Sequence, residues 1–104
     1  MERTFVPRTP HGYRLAQHWT AILQAAARRH SSNVRVLGSV ARGDDSPTSD
    51  VDLLVDLEPS ANPLDLLELG ADLEDVLGIK VHLGTPASLR AFLREEILAE
   101  AVAL

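Results

Sequence analysis

Two aspartates separated by one residue, Asp50 and Asp52, are the side chains best suited to chemistry in this chain of 104 residues. They open the run Asp-Val-Asp-Leu-Leu-Val, whose apolar character predicts a strand over residues 50–57. Because side chains alternate along a strand, both carboxylates project from one face, and Val51 projects into a core from the other. Such a pair either holds a proton or is neutralised by a cation, commonly Mg²⁺ that also binds substrate phosphates. The pair therefore predicts a divalent-metal site.

A Gly-Ser turn precedes the two aspartates. A short strand over residues 34–37 is predicted to deliver the chain to Gly38, and Ser39 then offers a hydroxyl group. If a helical turn begins there, its first N–H groups are unpaired and favour an anion. Arg42 adds a planar cation nearby. These three residues are therefore predicted to bind the outer phosphates of a nucleotide beside the metal.

The run GSVARGDDSPTSDVDLLVDL resembles the signature of the DNA polymerase beta-like nucleotidyltransferases, in which Gly-Ser is followed by Asp-x-Asp. It is most similar to the minimal nucleotidyltransferases of bacteria and archaea, which commonly act as antitoxins beside a helical HEPN-domain toxin. The resemblance implies an α+β fold in which a short mixed sheet is flanked by helices. It covers nearly the whole chain, so we expect residues 1–104 to form a single domain.

The resemblance also implies an activity and a partner. The reaction is the transfer of AMP from ATP to a hydroxyl group of the HEPN toxin, with a tyrosine as the acceptor, and it silences the toxin. Asp50 and Asp52 are then catalytic residues that bind Mg²⁺, or Mn²⁺ in its place, and ATP lies on Gly38, Ser39 and Arg42. We expect a hetero-oligomer of the chain with its toxin.

One residue departs from the family pattern. The family places a third, catalytic carboxylate on the strand after the next helix, and the corresponding segment here, residues 79–83, carries His82 instead. A neutral imidazole can accept a proton or bind Mn²⁺, but it suits Mg²⁺ poorly and carries no negative charge. His82 is therefore predicted either to act as the catalytic base of a slow or metal-shifted transferase, or to mark a chain that has lost turnover. A third interpretation is that it merely caps the edge of the sheet.

The residues of the predicted site are compatible with two functions of different classes. The first is an enzyme, a metal-dependent protein adenylyltransferase, which the intact residues Gly38, Ser39, Asp50 and Asp52 favour. The second is a binding module that neutralises its toxin by covering the toxin's surface, which His82 favours. Both hypotheses predict the same partner.

Composition limits the partners and the compartment. The net charge of -5 at pH 7 argues against direct binding of nucleic acid, which depends on Lys and Arg neutralising phosphates. The absence of cysteine excludes a disulfide framework and a thiolate metal site. No stretch approaches the roughly 18 apolar residues of a membrane span. We therefore expect a soluble, cytoplasmic protein that binds neither nucleic acid nor membrane.

Helices are predicted to position the strands. After an irregular arm over residues 1–8, helical spacing of apolar residues predicts one continuous first helix. Asn62, Pro63 and Gly78 bound a second helix, and the cap-then-proline pair at 85–86 opens a final helix that continues toward residue 104. The apolar stripe of the first helix is Leu15, Trp19, Ile22, Leu23 and Ala26, and that of the last is Leu89, Phe92, Leu93, Ile97 and Ala101.

Two further surfaces are predicted. The second helix carries an acidic row, which is most simply a solvated face and alternatively a docking surface for a basic partner: Asp65, Glu68, Asp72 and Asp75. The chain ends on Ala-Val-Ala-Leu, and these apolar residues are expected to pack against a partner or a second copy, or to fray.

Overall fold

The computed structural model describes residues 4–104, apart from the side chains of residues 91 and 92. Part of the predicted N-terminal arm, residues 1–3, and the predicted apolar contact of Phe92 therefore lie outside the described residues. The described elements, in chain order, are α1 (Pro10–Gln17), α2 (Trp19–Arg28), β1 (Ser31–Leu37), α3 (Gly38–Arg42), β2 (Val51–Leu57), α4 (Pro63–Leu77), β3 (Val81–Gly84), a 3₁₀ turn (Pro86–Ser88), α5 (Ala91–Glu100) and β4 (Val102–Ala103).

The described strands form a short mixed sheet in the order β3-β2-β1-β4. β1 is antiparallel to both β2 and β4, whereas β3 runs parallel to β2. The register places Asp52 between Leu37 of β1 and His82 of β3. The α+β fold predicted from the resemblance is confirmed. Among the described helices, none is long and apolar enough to cross a membrane.

The two faces of β2 have different neighbours, because its side chains alternate. Val51, Leu53 and Val55 are fully buried in the core, as the alternation predicted. Asp52 and Leu54 line a cavity on the opposite side, next to α5 and the residues before it. The sheet thus separates the core from the cavity. The core also takes in Leu15, Ile22, Ala25 and Ala26 from the first two helices and Leu69, Leu73 and Leu77 from α4.

The first helix is interrupted, which corrects the prediction of a continuous one. The N–H of His18 is shared between the carbonyls of two residues in the preceding turn, Arg14 and Leu15, at 3.2 Å each. Such a bifurcated bond is typical of a helix end, and α2 begins at the next residue. The interruption leaves Trp19 44% and Leu23 39% exposed, so these two members of the predicted stripe do not belong to the core.

The C-terminal residues form a strand, which corrects the prediction of a helix that continues toward residue 104. α5 ends at Glu100, Ala101 is extended, and Val102 pairs with Val36 of β1. The outer edge of β1 presents backbone N–H and C=O groups that need partners, and this short apolar segment supplies them. The end of the chain is therefore half-buried on its own sheet, and neither a partner nor fraying is needed to account for it.

The N-terminal arm also joins this edge. Thr4 bridges Ala103 in parallel, and the N–H of Phe5 donates to the carbonyl of Ala103 at 2.8 Å. The ring of Phe5 is buried in the core. The described part of the predicted irregular arm is thus tied down at both backbone and side chain.

The acidic row of α4 is not a uniformly solvated face, which corrects that prediction. Asp65 is 6% exposed, and its Oδ2 accepts from the N–H of Asn62 at 2.9 Å in a capping box that begins the helix. Glu68 and Asp72 both form ion pairs with Arg29, which follows α2, at 2.6 Å and 2.9 Å. Part of the row therefore joins two helices and another part fixes where α4 begins.

Replacing Asp65 with Ala should lower the free energy of unfolding by about 1–2 kcal/mol, because the buried hydrogen bond that Asp65 contributes to the capping box is lost. The matched control is Asp75→Ala, an exposed position of the same row, which should change stability by less than about 0.5 kcal/mol. Urea denaturation of both variants checks this. Equal effects would show that Asp65 has no special role.

Candidate active site

The turn after β1 lies against a carboxylate. Gly38 has φ +66°, a left-handed conformation that favours glycine. A Cβ atom at this position would lie 2.6 Å from Oδ2 of Asp52, closer than real Cβ atoms approach. Residue 38 must therefore be glycine for the turn to lie this close to the carboxylate. The helical turn that anion binding at this position requires does follow, as α3, and the carbonyl of Ser39 accepts from the N–H of Gly43 at 2.8 Å.

The two aspartates occupy different positions. Asp52 is the second residue of β2, between Leu37 and His82 on the neighbouring strands. Asp50 lies just before β2, which begins at Val51 and not at residue 50 as predicted. Oδ2 of Asp50 is 2.7 Å from Nε2 of His82. The three residues predicted to be catalytic therefore meet at one end of the sheet.

His82 lies on β3, the edge strand of the sheet, and is paired with Asp52 of β2. Its side chain is 56% exposed, and its ring joins Asp50 across the end of β2. The ring therefore does more than cap an edge, because it binds one of the two predicted metal ligands.

A loop links α3 to β2, and α1 holds it in place. Nε2 of His11 is 3.0 Å from the carbonyl oxygen of Ser49, next to Asp50, and Oγ1 of Thr9 donates to Oδ1 of Asp45 at 2.7 Å. These contacts fix the direction in which the chain enters β2. Sequence reasoning did not identify them, because no spacing pattern relates α1 to this loop.

The charges around Asp52 oppose one another. Burial raises the pKa of the Asp52 carboxyl above its usual range, and the nearby charges of Asp50 and Glu100 add to that effect. His82 and Arg42 act in the opposite direction and favour the ionised form of Asp52. The end of the sheet therefore holds an excess of negative charge, which a cation would offset.

A cavity of about 420 Å³ lies over this end of the sheet. Gly38, Asp52 and His82 form its polar part, and Leu54 and the side chains of α5 and the residues before it form an apolar wall. Glu100, the last residue of α5, also lines it. Sequence analysis missed Glu100, since helical periodicity shows which face of α5 is apolar but not which carboxylate reaches a cavity on a distant sheet.

Arg42, the predicted phosphate ligand, is bound to carboxylates. Its Nε donates to Oδ2 of Asp44 at 3.1 Å, and its Nη1 forms an ion pair with Oε1 of Glu100. The hydrogen bonds of Asp44 and then of Glu100 raise the pKa of the Arg42 guanidinium. The cation is thus at the site, but anionic side chains hold it.

The donor set suits a metal that shares its shell with a substrate. Within the described residues, no three His, Cys, Asp or Glu side chains surround a common point closely enough to enclose an ion. Mg²⁺ typically binds through one or two carboxylates and fills its other positions with phosphate oxygens and water. Asp50 and Asp52 match that pattern, and the glycine at position 38 leaves Oδ2 of Asp52 unobstructed by a side chain.

This constellation of a Gly-Ser turn, an Asp-x-Asp strand and a parallel edge strand on a small mixed sheet defines a class of protein. The nucleotidyltransferase domain family matches residues 19–104, so the chain belongs to that family. Protein adenylyltransferase MntA of Thermococcus cleftensis is 39% identical over 69 residues, which are 66% of this chain and 70% of that protein.

Solved structures agree with the assignment. A chain described as a minimal nucleotidyltransferase superposes with a TM-score of 0.79 at 41% identity, covering 86% of this chain and 92% of the other. A toxin-antitoxin complex with AMP-PNP contains a chain that superposes with a TM-score of 0.68 at 19% identity, covering 81% of this chain and 69% of the other. The similarity to the second structure is a similarity of fold alone.

Replacing Gly38 with Ala should destabilise the protein by about 1–3 kcal/mol, since a non-glycine residue would adopt a left-handed conformation there. It should also displace the Asp52 carboxylate, which the new Cβ would meet. Gly70→Ala is the control, because a Cβ at this helical position meets nothing within 4 Å and should stabilise the protein by about 0.5–1 kcal/mol. Thermal unfolding of both variants checks this, and destabilisation by both would contradict it.

Replacing Asp52 with Asn should stabilise the protein at neutral pH. A raised carboxyl pKa means that the fold favours the protonated form, so the contribution of Asp52 to stability is present in acid and is lost as the pH rises through that pKa. The advantage of the variant should therefore shrink as the pH falls. Melting curves at neutral and acid pH test this, and a variant that is less stable at neutral pH would contradict it.

Proposed function

We propose that the chain is a metal-dependent protein adenylyltransferase and an antitoxin, which transfers AMP from ATP to a hydroxyl group, a tyrosine, of a HEPN-domain toxin. The observation that carries the proposal is the meeting of Gly38, Asp50, Asp52 and His82 at one end of the sheet. Membership of the nucleotidyltransferase family and the name of the archaeal relative support the reaction. The toxin-antitoxin fold neighbour supports the kind of partner.

Each residue of the site has a role in this proposal. Asp50 and Asp52 would hold Mg²⁺ or Mn²⁺, which supplies positive charge against the charge that develops during phosphoryl transfer. The hydroxyl of Ser39 and the N–H groups of the turn bind the outer phosphates of ATP, and Arg42 supports them. We further propose that residues 1–104 act as one catalytic domain.

His82 is assigned the role of the base that accepts the proton of the attacking hydroxyl. Its contact with Asp50 supports this role, since a carboxylate beside an imidazole fixes the orientation of the ring. The same carboxylate would offset the charge of the imidazolium that forms when the proton is transferred. In this role the histidine would replace the third carboxylate of the family pattern as a proton acceptor, but it would not supply that carboxylate's negative charge.

The acceptor has a separate approach to the ring of His82. A second groove of about 360 Å³ runs along the start of α4 and shares His82 with the nucleotide cavity. Leu67, which lines it, is largely exposed, and the space over Gly70 is open. An acceptor side chain entering from this groove would reach His82 without crossing the space assigned to ATP.

A second function is favoured by one observation. The hydrogen bond from His82 occupies one oxygen of Asp50, so a cation must compete with the ring for that carboxylate. If the His82 ring keeps the Asp50 carboxylate and the cation does not bind, the chain would bind the toxin without modifying it. The alternative is therefore an antitoxin that neutralises by binding alone.

The purified chain, incubated with its partner toxin, ATP and either Mg²⁺ or Mn²⁺, should add one adenylate to the toxin, as seen by intact mass spectrometry. Asp52→Asn should abolish the added mass, because the metal loses a ligand. His82→Asp should increase the yield with Mg²⁺ and move the acid limb of the pH profile lower, because a carboxyl normally loses its proton at lower pH than an imidazole.

Two results separate the alternatives. A stable complex whose mass does not change with either metal contradicts the enzyme and supports the antitoxin that acts by binding. Transfer that survives in Asp52→Asn contradicts the assignment of the site, even if the activity is real.

A further inference from the structure

The ion pair between Arg42 and Glu100 joins two parts of the chain that are distant in sequence. Arg42 ends the turn that follows β1, and Glu100 ends α5. Glu100 lines the same cavity as Gly38 and Asp52. The carboxylate of Glu100 thus lies at the cavity that is proposed to receive the triphosphate. It is also bound to Arg42, the side chain that is proposed to bind that triphosphate.

The position of Glu100 is set by the sheet. Val102 follows two residues later and pairs with Val36 of β1, the strand that leads into the Gly38 turn. α5 itself has no fully buried side chain among those described. The strand pairing, and not the packing of the helix, therefore holds the Glu100 carboxylate near the turn.

The negative charge of Glu100 disfavours binding of a metal-free triphosphate in the cavity. Glu100 and Asp52 both line the cavity, and Asp50 lies beside it in contact with His82, so carboxylates are concentrated at this end of the sheet. A metal-free triphosphate entering the cavity meets this repulsion and must also displace Glu100 from Arg42. A triphosphate that carries a divalent cation brings positive charge for the carboxylates and meets less repulsion.

We propose that Glu100 makes the cavity specific for metal-bound over metal-free nucleotide. Its carboxylate repels a metal-free triphosphate, and it releases Arg42 when a metal-bound triphosphate arrives. The inference rests on the proposed function, because it assumes that the cavity receives ATP. It assigns to Glu100 an effect on which form of the nucleotide binds. It does not require Glu100 to bind metal or to take part in the transfer.

Two matched variants separate this effect from simpler ones. Asp44→Asn frees Arg42 from its other partner, an exposed loop residue that is not among the residues lining the cavity. Glu96→Gln removes the same charge from an exposed position of α5. Only Glu100→Gln both frees Arg42 and removes charge from the cavity.

The experiment is calorimetric titration of a non-hydrolysable ATP analogue, with excess chelator or with Mg²⁺, into the wild type and the three variants. Glu100→Gln should tighten metal-free binding about two- to fivefold, the range of a surface ion pair, and metal-bound binding by less. The difference should shrink at high salt, which screens exposed charges. Glu96→Gln should change neither affinity, and Asp44→Asn should change both affinities by similar factors.

Several results would overturn the inference. A Glu100→Gln variant that binds metal-free analogue no better than wild type contradicts it, as does an equal gain in Glu96→Gln. Melting curves confirm that each variant is folded, and Glu100→Asp, which keeps the charge on a shorter side chain, should retain most of the discrimination. If the wild type binds no analogue under any condition, the proposed function fails as well, whereas wild-type binding without a Glu100 effect overturns the inference alone.

Discussion

The close approach of the Asp52 carboxylate to the backbone of Gly38 is the contact on which the rest of the site depends. The pairing of β1 with β2 sets Leu37 opposite Asp52, so the chain must turn away immediately afterwards. A glycine in the left-handed region makes that turn without a Cβ that would strike the carboxylate. On the other side of Asp52, the parallel pairing of β2 with β3 places His82 next to it. One residue without a side chain thus allows the turn after β1 to lie against the polar groups of β2 and β3.

The negative charge that results is unfavourable for folding and useful for binding. Burial and the neighbouring carboxylates both oppose ionisation of Asp52, because the carboxylates repel one another. Arg42 and His82 offset part of this, each through a carboxylate partner. Sites that retain such repulsion are typical of catalytic and ligand-binding centres, where a ligand supplies the missing charge. In the proposed function, a metal-bound nucleotide would rearrange the ion pairs of Arg42 and His82.

The fold was predicted from the family resemblance, whereas local patterns predicted individual elements and which face of β2 meets the core. Alternation along residues 51–55 predicted that Val51, Leu53 and Val55 face the core, because it depends on neighbouring residues alone. It did not predict that Leu54, on the opposite face, is fully buried as well. The strand character of residues 102–103 escaped prediction, since a free sheet edge far away in the sequence decides it. Glu100 and His11 escaped for the same reason: their contacts depend on how α5 and α1 lie on the sheet, and no periodicity contains that information.

The central claim is that Asp50 and Asp52 together bind a divalent cation beside a nucleotide held by the turn at Gly38. Its most direct test is amide NMR of the labelled chain titrated with Mn²⁺ in the presence of a non-hydrolysable ATP analogue, since the paramagnetic ion broadens a signal more strongly the closer the amide lies to it. We expect saturable broadening that is strongest at residues around 38–39, 50–52 and 82 and weakens with distance from them. Broadening that is absent, or that centres on another part of the chain, would contradict the account.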